Sequence, residues 1–363
     1  MIRRVDRTTI EVDEDAAACW RDRRPARLVD QAAELGNLVP AGVPRADLGC
    51  GPGQHLGVLG APVVALDAAY AMVALARDAA PDAWCAQCDL EQLPLRPGTL
   101  GGAWARASYH HLRATRVPWA LMELHRAMKV GGPFRAAFQF GEGDRRVDDG
   151  DFPGRFFSHW TPAALTDVAV GAGFDVDACT HDGDEWVILD ARRAHTLPDF
   201  VDAGMRLLVC GLNPSVYAAD AGVGFARPGN RFWPAAIAAG LVTRDRDPRH
   251  ALSLHRIGMT DLVKRATPKA DALAKDEYVV GAARVESLVR WLRPGAICFV
   301  GLAGYRAAVE RGATAGEIAG GFGGVPAYLM PNPSGVNAHV TVDDIAEHLR
   351  AALAFAKGGP YDS

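Results

Sequence analysis

"GLNPS" (residues 211–215) follows directly on an apolar run, "MRLLVC" (205–210), and a near copy, "PNPSG" (331–335), follows another, "VPAYLM" (325–330). Short apolar runs bounded by turn residues read as buried strands, and Asn-Pro is a turn signal in its own right. Taken singly, each stretch is a strand running into a loop. With "AICFVGL" (296–302) and the helical "RVESLVRWL" (284–292) between them, they predict parallel strands alternating with helices. Both Asn-Pro turns then lie at the carboxyl ends of strands. In open α/β sheets ligands bind at that edge, so the two turns can converge on one site.

An earlier part of the chain alternates in the same way. "PRADLGC" (44–50) and "PVVALDA" (62–68) are strand-like, and "AAYAMVALARDAA" (68–80) is helix-like. "GGAWARAS", "PWALMELHRAM" and "PFRAAFQF" continue the series to residue 140, and "TPAALTDVAVGAGF" and "EWVILDARR" add a further helix and strand. The polar, breaker-rich "GEGDRRVDDGDFPGR" (141–155) reads as a loop, and "AHTLPDFVDAG" (194–204) as a linker. The expected fold is α/β in two domains, each a mostly parallel sheet flanked by helices. They span residues 1–195 and 205–363, with 196–204 between them. The chain should close on a helix in "TVDDIAEHLRAALAFAKGG" (341–359), opened by a box-like Thr341–Asp344 pair and stopped near Gly358.

At 363 residues two domains is the natural expectation, and 49% hydrophobic with 23% charged residues is ordinary for a globular protein. There is no run of about 18 apolar residues to span a bilayer, and "MIRRVDRTTIEVDED" lacks the apolar core of a secretory leader. The expected location is therefore the cytoplasm, with no membrane partner. Seven scattered cysteines argue against a disulfide framework. The single C-x-x-C, Cys85 and Cys88, lacks the second pair a zinc site needs, so no metal is expected. Charge is uneven: residues 205–363 carry 18 Lys and Arg against 14 Asp and Glu, whereas residues 1–204 carry 21 against 29. An acidic half joined to a basic half suggests that only the second meets a polyanion.

"DLGCGPG" (47–53) falls between a strand and a helix, and its Gly49, Gly51 and Gly53 let the backbone turn tightly and approach a ligand. Asp67 ends the next strand, where a carboxylate can take both ribose hydroxyls. Roughly residues 40–192 resemble the class I S-adenosylmethionine-dependent methyltransferases. The resemblance implies S-adenosylmethionine as cofactor, with Asp47 and the three glycines around its methionine part, Asp67 on the ribose and Asp89, in "CDLEQLP", facing the adenine. "LHRAMKVGGPF" (124–134) matches a helix-turn-strand segment of that family, with Val130 where Pro is usual, and "SYHHL" places His110 and His111 where members contact the acceptor. The acceptor itself is unknown. Neither a [DNS]-P-P-[YFW] stretch nor a Pro-Cys dipeptide occurs, which speaks against methylation of DNA bases.

Between the two Asn-Pro turns comes "GVGFARPGNRFW" (222–233), aromatics beside cations, as suits gripping a base and its phosphates. Phe232 and Trp233 read as core, and Phe225 as the stacking ring. "GLNPS", "FARPGNRFW", "GMTDLVKRAT" and "LMPNPSGVNAHVT" together make residues 205–357 resemble the mismatch-specific uracil/thymine-DNA glycosylases, a branch of the uracil-DNA glycosylase superfamily. The resemblance implies duplex DNA with a G·U mismatch as partner. Uracil would be extruded and removed by water, leaving an abasic site, with no cofactor. It makes Asn213 the catalytic residue that aims the water, and places Leu212, Ser215, Phe225 and Asn332 around the base. Gly335, Val336 and Asn337 become the wedge entering the duplex. Val336 and Ala338 stand where relatives often have Leu and Arg. Ser215 stands where some have Gly, and Asp261 where a neutral or basic residue is usual. Two other readings stay open: a catalytically silent first half that binds S-adenosylmethionine or docks a partner, and a nucleic-acid methyltransferase whose second half only binds DNA.

Overall fold

The protein is described here by a computed structural model covering residues 6–150, 152–269, 272–335 and 340–356. The chain divides into two units, Met1–Ala194 and His195–Ser363. In the first, α1 (Arg7–Arg23) and α2 (Val29–Leu38) precede β1 (Arg45–Leu48), α3 (Leu56–Leu59), β2 (Val63–Asp67), α4 (Tyr70–Ala79) and β3 (Trp84–Gln87). Then come β4 (Gly102–Arg106), α5 (Val117–Ala127), β5 (Pro133–Phe140), β6 (Gly143–Val147), β7 (Arg155–Trp160), α6 (Pro162–Gly171), β8 (Phe174–His181) and β9 (Trp186–Arg193). Strands β1, β2 and β4 are buried almost throughout, as strands covered by helices on both faces must be. They pair in parallel in the order β3-β2-β1-β4-β5. β9 lies antiparallel along β5, with β8 outside it.

Two stretches differ from the sequence expectation. The N-terminal residues, read only as no leader, form α1, begun by the Asp6 carboxylate accepting from Thr9 N at 2.9 Å. The supposed loop 141–155 contains β6, hairpinned to β7. Every position of β6 but the last is exposed, so no apolar alternation marks it as a strand. β7 pairs in parallel with Gln139 and Phe140, beyond the point where β4 ends at Arg106. The hairpin therefore stands at the carboxyl edge of the sheet.

The second unit runs β10 (Leu207–Gly211), α7 (Val216–Ala221), α8 (Phe232–Ala238), α9 (Pro248–His255), β11 (Ile257–Asp261), α10 (Lys275–Leu292) and β12 (Ile297–Val300). It continues with α11 (Leu302–Ala308), β13 (Gly316–Phe322), β14 (Val325–Met330) and α12 (Val342–Phe355). The strand order is β11-β10-β12-β14-β13, parallel except for the edge strand β13. Thr341 and Asp344 form the expected capping box of α12, with Asp doing what Glu usually does; Gly358 lies outside the described residues.

The linker reading is corrected. Residues 196–204 belong to the second unit: Phe200 and Met259 exchange backbone hydrogen bonds of 2.8 and 2.9 Å, and Thr196, Leu197, Asp199 and Val201 are buried. The Asp199 carboxylate accepts from Thr260 Oγ1 at 2.6 Å, Arg284 Nη1 at 2.7 Å and Lys264 Nζ at 2.8 Å. A short stretch with a Pro and no periodicity gives no local sign of such pairing. Its order comes from tertiary partners.

Candidate active sites

β10 delivers Gly211, Leu212 and Asn213 to the carboxyl edge of the second sheet, and the chain after β11 clamps them. Gly211 O accepts from Leu262 N and Leu212 O from Val263 N, each at 2.9 Å. Asn213 Nδ2 donates to Thr267 Oγ1 at 2.8 Å, Arg265 O at 3.0 Å and Pro214 O at 3.1 Å. Two of these acceptors are backbone carbonyls, so the group facing them must be the amine, and Oδ1 is turned the other way as an acceptor. Ser215 pairs with Thr267 in a parallel bridge, and its Oγ accepts from Ala218 N at 3.1 Å to cap α7. Its hydroxyl is thus engaged locally. The Leu212 side chain fills the space over Gly304, where a Cβ would overlap it.

Phe225 holds φ 56°, a region costly for a non-glycine residue and found where surroundings impose it. Its ring stacks on buried Phe232 at 4.3 Å and 24°. A Cβ on Gly211 would come 3.4 Å from the tip of the Phe225 ring and would overlap Oδ1 of Asp261. Glycine is therefore required there to keep ring and carboxylate side by side. Burial raises the Asp261 carboxyl to about 6, with Lys264 and Arg284 pulling the other way and Asp199 adding to the rise.

The second Asn-Pro turn leans on Gly301, just past β12: a Cβ there would lie 3.7 Å from that of Asn332. Asn332 Oδ1 accepts from Ser334 N at 2.9 Å. Arg231 binds the turn twice, N to Pro333 O at 2.9 Å and Nη1 to Ser334 O at 3.0 Å. A Cβ on Gly335 would come 2.8 Å from Gly229 O. The "FARPGNRFW" segment thus touches both turns, Phe225 at the first and Gly229 and Arg231 at the second. Of the expected wedge, Val336 and Asn337 lie outside the described residues. Sequence reading missed Arg265 and Thr267 as partners of Asn213. They sit inside a recognised motif, but no spacing tells that they meet the amide.

The first unit holds a cavity of about 470 Å³ at the carboxyl edge of its sheet. Asp47, Gly49, Gly51, Asp67, His110 and His111 all line it. Gly49 is at φ 72°, and a Cβ there would overlap Ser108; Gly51, at φ 51°, has nothing near and faces open space. Gly53, at φ 85°, instead lets the loop pack on Ala76 of α4. Asp67 accepts from Gly51 N and Ala69 N, both at 2.9 Å, and so ties the glycine loop to β2. Burial, then the nearby Asp67, raises Asp47 to about 8, and its buried Oδ2 has no partner among the described residues. Asp89 is not part of the wall: its Oδ1 accepts from Glu91 N at 2.9 Å, and Leu90 lines the cavity instead.

Burial holds both histidines neutral, His110 well below the ordinary range and His111 at about 4. His111 Nδ1 meets Phe156 O at 2.8 Å, whereas the buried His110 Nδ1 has no partner among the described residues. The α1 helix and the β6–β7 hairpin also contribute walls, through Asp13, Trp20, Arg145 and Phe157 among others. Phe156 N donates to Thr9 Oγ1 at 2.9 Å, Arg146 pairs with Asp6 at 2.8 Å, and Glu14 accepts from Tyr70 N and Ala71 N at the start of α4.

Residues 46–136 match the family model for a methyltransferase domain, and residues 198–356 that for the uracil DNA glycosylase superfamily. Similar solved structures include an S-adenosylmethionine-dependent methyltransferase from Mesorhizobium loti, 20% identical with a TM-score of 0.36, covering 46% of this chain and 100% of that one. Another is a SAM-dependent methyltransferase from Aquifex aeolicus, 18% identical, TM-score 0.40, covering 49% and 98%. A third is the 1,6-didemethyltoxoflavin-N1-methyltransferase of Burkholderia thailandensis, 18% identical, TM-score 0.41, covering 51% and 85%. Among the described residues no helix is long and apolar enough to cross a membrane. The chain thus joins a methyltransferase domain to a domain of the uracil DNA glycosylase superfamily.

Proposed function

We propose that the second unit removes uracil from G·U pairs in duplex DNA, leaving an abasic site. The observation that carries this is the clamp on Asn213, which fixes the amine end of the amide and presents Oδ1. An amide has no useful basicity, so it holds a water by accepting its hydrogen bond and aims it at the sugar carbon. Aiming suffices when the glycosidic bond breaks through an oxocarbenium-like state that water captures. The extruded base lies on Phe225, and donors of the backbone near Leu212 and Ser215 stabilise the departing anion. Asn332 closes the pocket from the second turn. A duplex with one G·U pair, incubated with the protein and treated with alkali, should be cut at that position; an intact strand overturns the proposal.

We further propose that the first unit binds S-adenosylmethionine and transfers its methyl group to an acceptor. The partnerless Asp47 Oδ2 and the open face of Gly51 fit a polar ligand that carries positive charge. Asp47 and the glycine loop would hold its methionine part and Asp67 its ribose. When bound, it supplies an electrophilic methyl group. His110 lines the same cavity as a neutral imidazole.

A further inference from the structure

The cavity wall beside the glycine loop carries a cation without a counter-ion. Arg106, the last residue of β4, is half-buried, and its Nε is buried with no hydrogen-bond partner among the described residues. It forms no ion pair among them, and burial, with Arg27 and Arg24 nearby, lowers its pKa. Glu185 also lines the cavity but does not pair with it. Leaving a partly desolvated guanidinium uncompensated is costly, and an anion arriving between its N–H groups offsets that cost. The surroundings are flat and aromatic: Arg106 lies 5.5 Å over the Trp186 ring, and Trp186 stacks with His110 at 5.6 Å and 29°. Trp186, Phe157 and both histidines face the same cavity as Asp47 and Asp67. Carboxylates therefore gather at the glycine loop, and an aromatic wall, its rings packed on one another, carries an unpaired guanidinium.

We propose that the methyl acceptor is a planar aromatic anion, its ring laid against the cavity wall formed by Trp186, Phe157 and His110 and its carboxylate or phosphate on Arg106. This rests on the methyl-transfer reading of the first unit. The test is calorimetric titration of the full chain, first with S-adenosylhomocysteine and then, on the loaded protein, with 4-hydroxybenzoate, 4-hydroxybenzamide and phenyl phosphate. One of the two anions should bind at least tenfold more tightly than the neutral amide, quench tryptophan fluorescence, and lose that advantage in Arg106→Gln. Which anion does so distinguishes carboxylate from phosphate. Equal binding of the amide, or no binding of either anion to the loaded protein, overturns the proposal and leaves the methyl-transfer reading standing. If Arg106→Gln instead weakens S-adenosylhomocysteine by the same factor, the guanidinium serves the cofactor's own carboxylate and the proposal fails. Failure of wild type to bind S-adenosylhomocysteine removes the underlying reading as well.

Discussion

At Asn213 the three acceptors around Nδ2 decide what substitution does. Asn213→Ala should slow single-turnover uracil release by on the order of a hundredfold while leaving DNA affinity nearly unchanged, because phosphate contacts supply most of the binding. Asn213→Asp looks conservative for a residue that only positions water. In the structure it sets a carboxylate oxygen against two carbonyls, so it should release uracil no faster than Asn213→Ala and should melt earlier. Recovery of half the wild-type rate by the Asp variant would contradict the clamp. Ser215→Gly should raise the rate on G·T relative to G·U, since it removes a Cβ from a pocket that must reject a methyl. Its cost in stability should be only a few tenths of a kcal/mol, as for other N-caps changed to glycine. Asp261 lies beside Phe225, and Lys264, Arg284 and Asp199 surround it. Ionising as pH rises through about 6, it puts negative charge next to a departing anion. Uracil release should therefore fall over that range, and Asp261→Asn should flatten the profile.

Among elements, the β10 and β14 turns and the glycine loop were legible because apolar runs and Gly or Pro signals are local. The β6 strand and residues 196–204 were not, because one has no apolar face and the other takes its order from partners distant in sequence. The same holds at the sites. Asn213 and Phe225 could be read from motifs, whereas Thr267, Arg265 and Arg106 acquire meaning only from what they meet. The ion cluster of Asp199, Lys264 and Arg284 is the clearest element-scale case. Burial alone would raise the Asp199 carboxyl, but Arg284 and Lys264 outweigh it and hold it below its ordinary value. A depressed carboxyl stabilises the fold above its unfolded pKa, about 4, and that stability is lost as pH falls through the folded value. Asp199→Ala strands two buried cations and should cost about 3–5 kcal/mol in denaturant unfolding of the second unit. It should also remove the acid dependence, and a variant as stable as wild type would show the cluster to be ornamental.

On the scale of the molecule, two sites in two separate units should respond independently. Asp67→Ala should weaken S-adenosylhomocysteine by roughly 1.5–3 kcal/mol, since it loses charge-assisted hydrogen bonds and also frees Gly51. Uracil release by the same full-length variant should be unchanged; a parallel loss would mean the sites are coupled. The junction itself has a mechanical consequence. Ala194 N is bonded to Gly173 O at 3.0 Å, His195 Nε2 meets Asp220 Oδ1 at 2.8 Å, and Thr196 is buried. Ala194 and Thr196 are thus each held within their own unit, with the exposed His195 between them. A protease offered the native protein should nick at His195 before it cuts the strands on either side, and the rate of any further cutting gauges the local unfolding free energy of each unit.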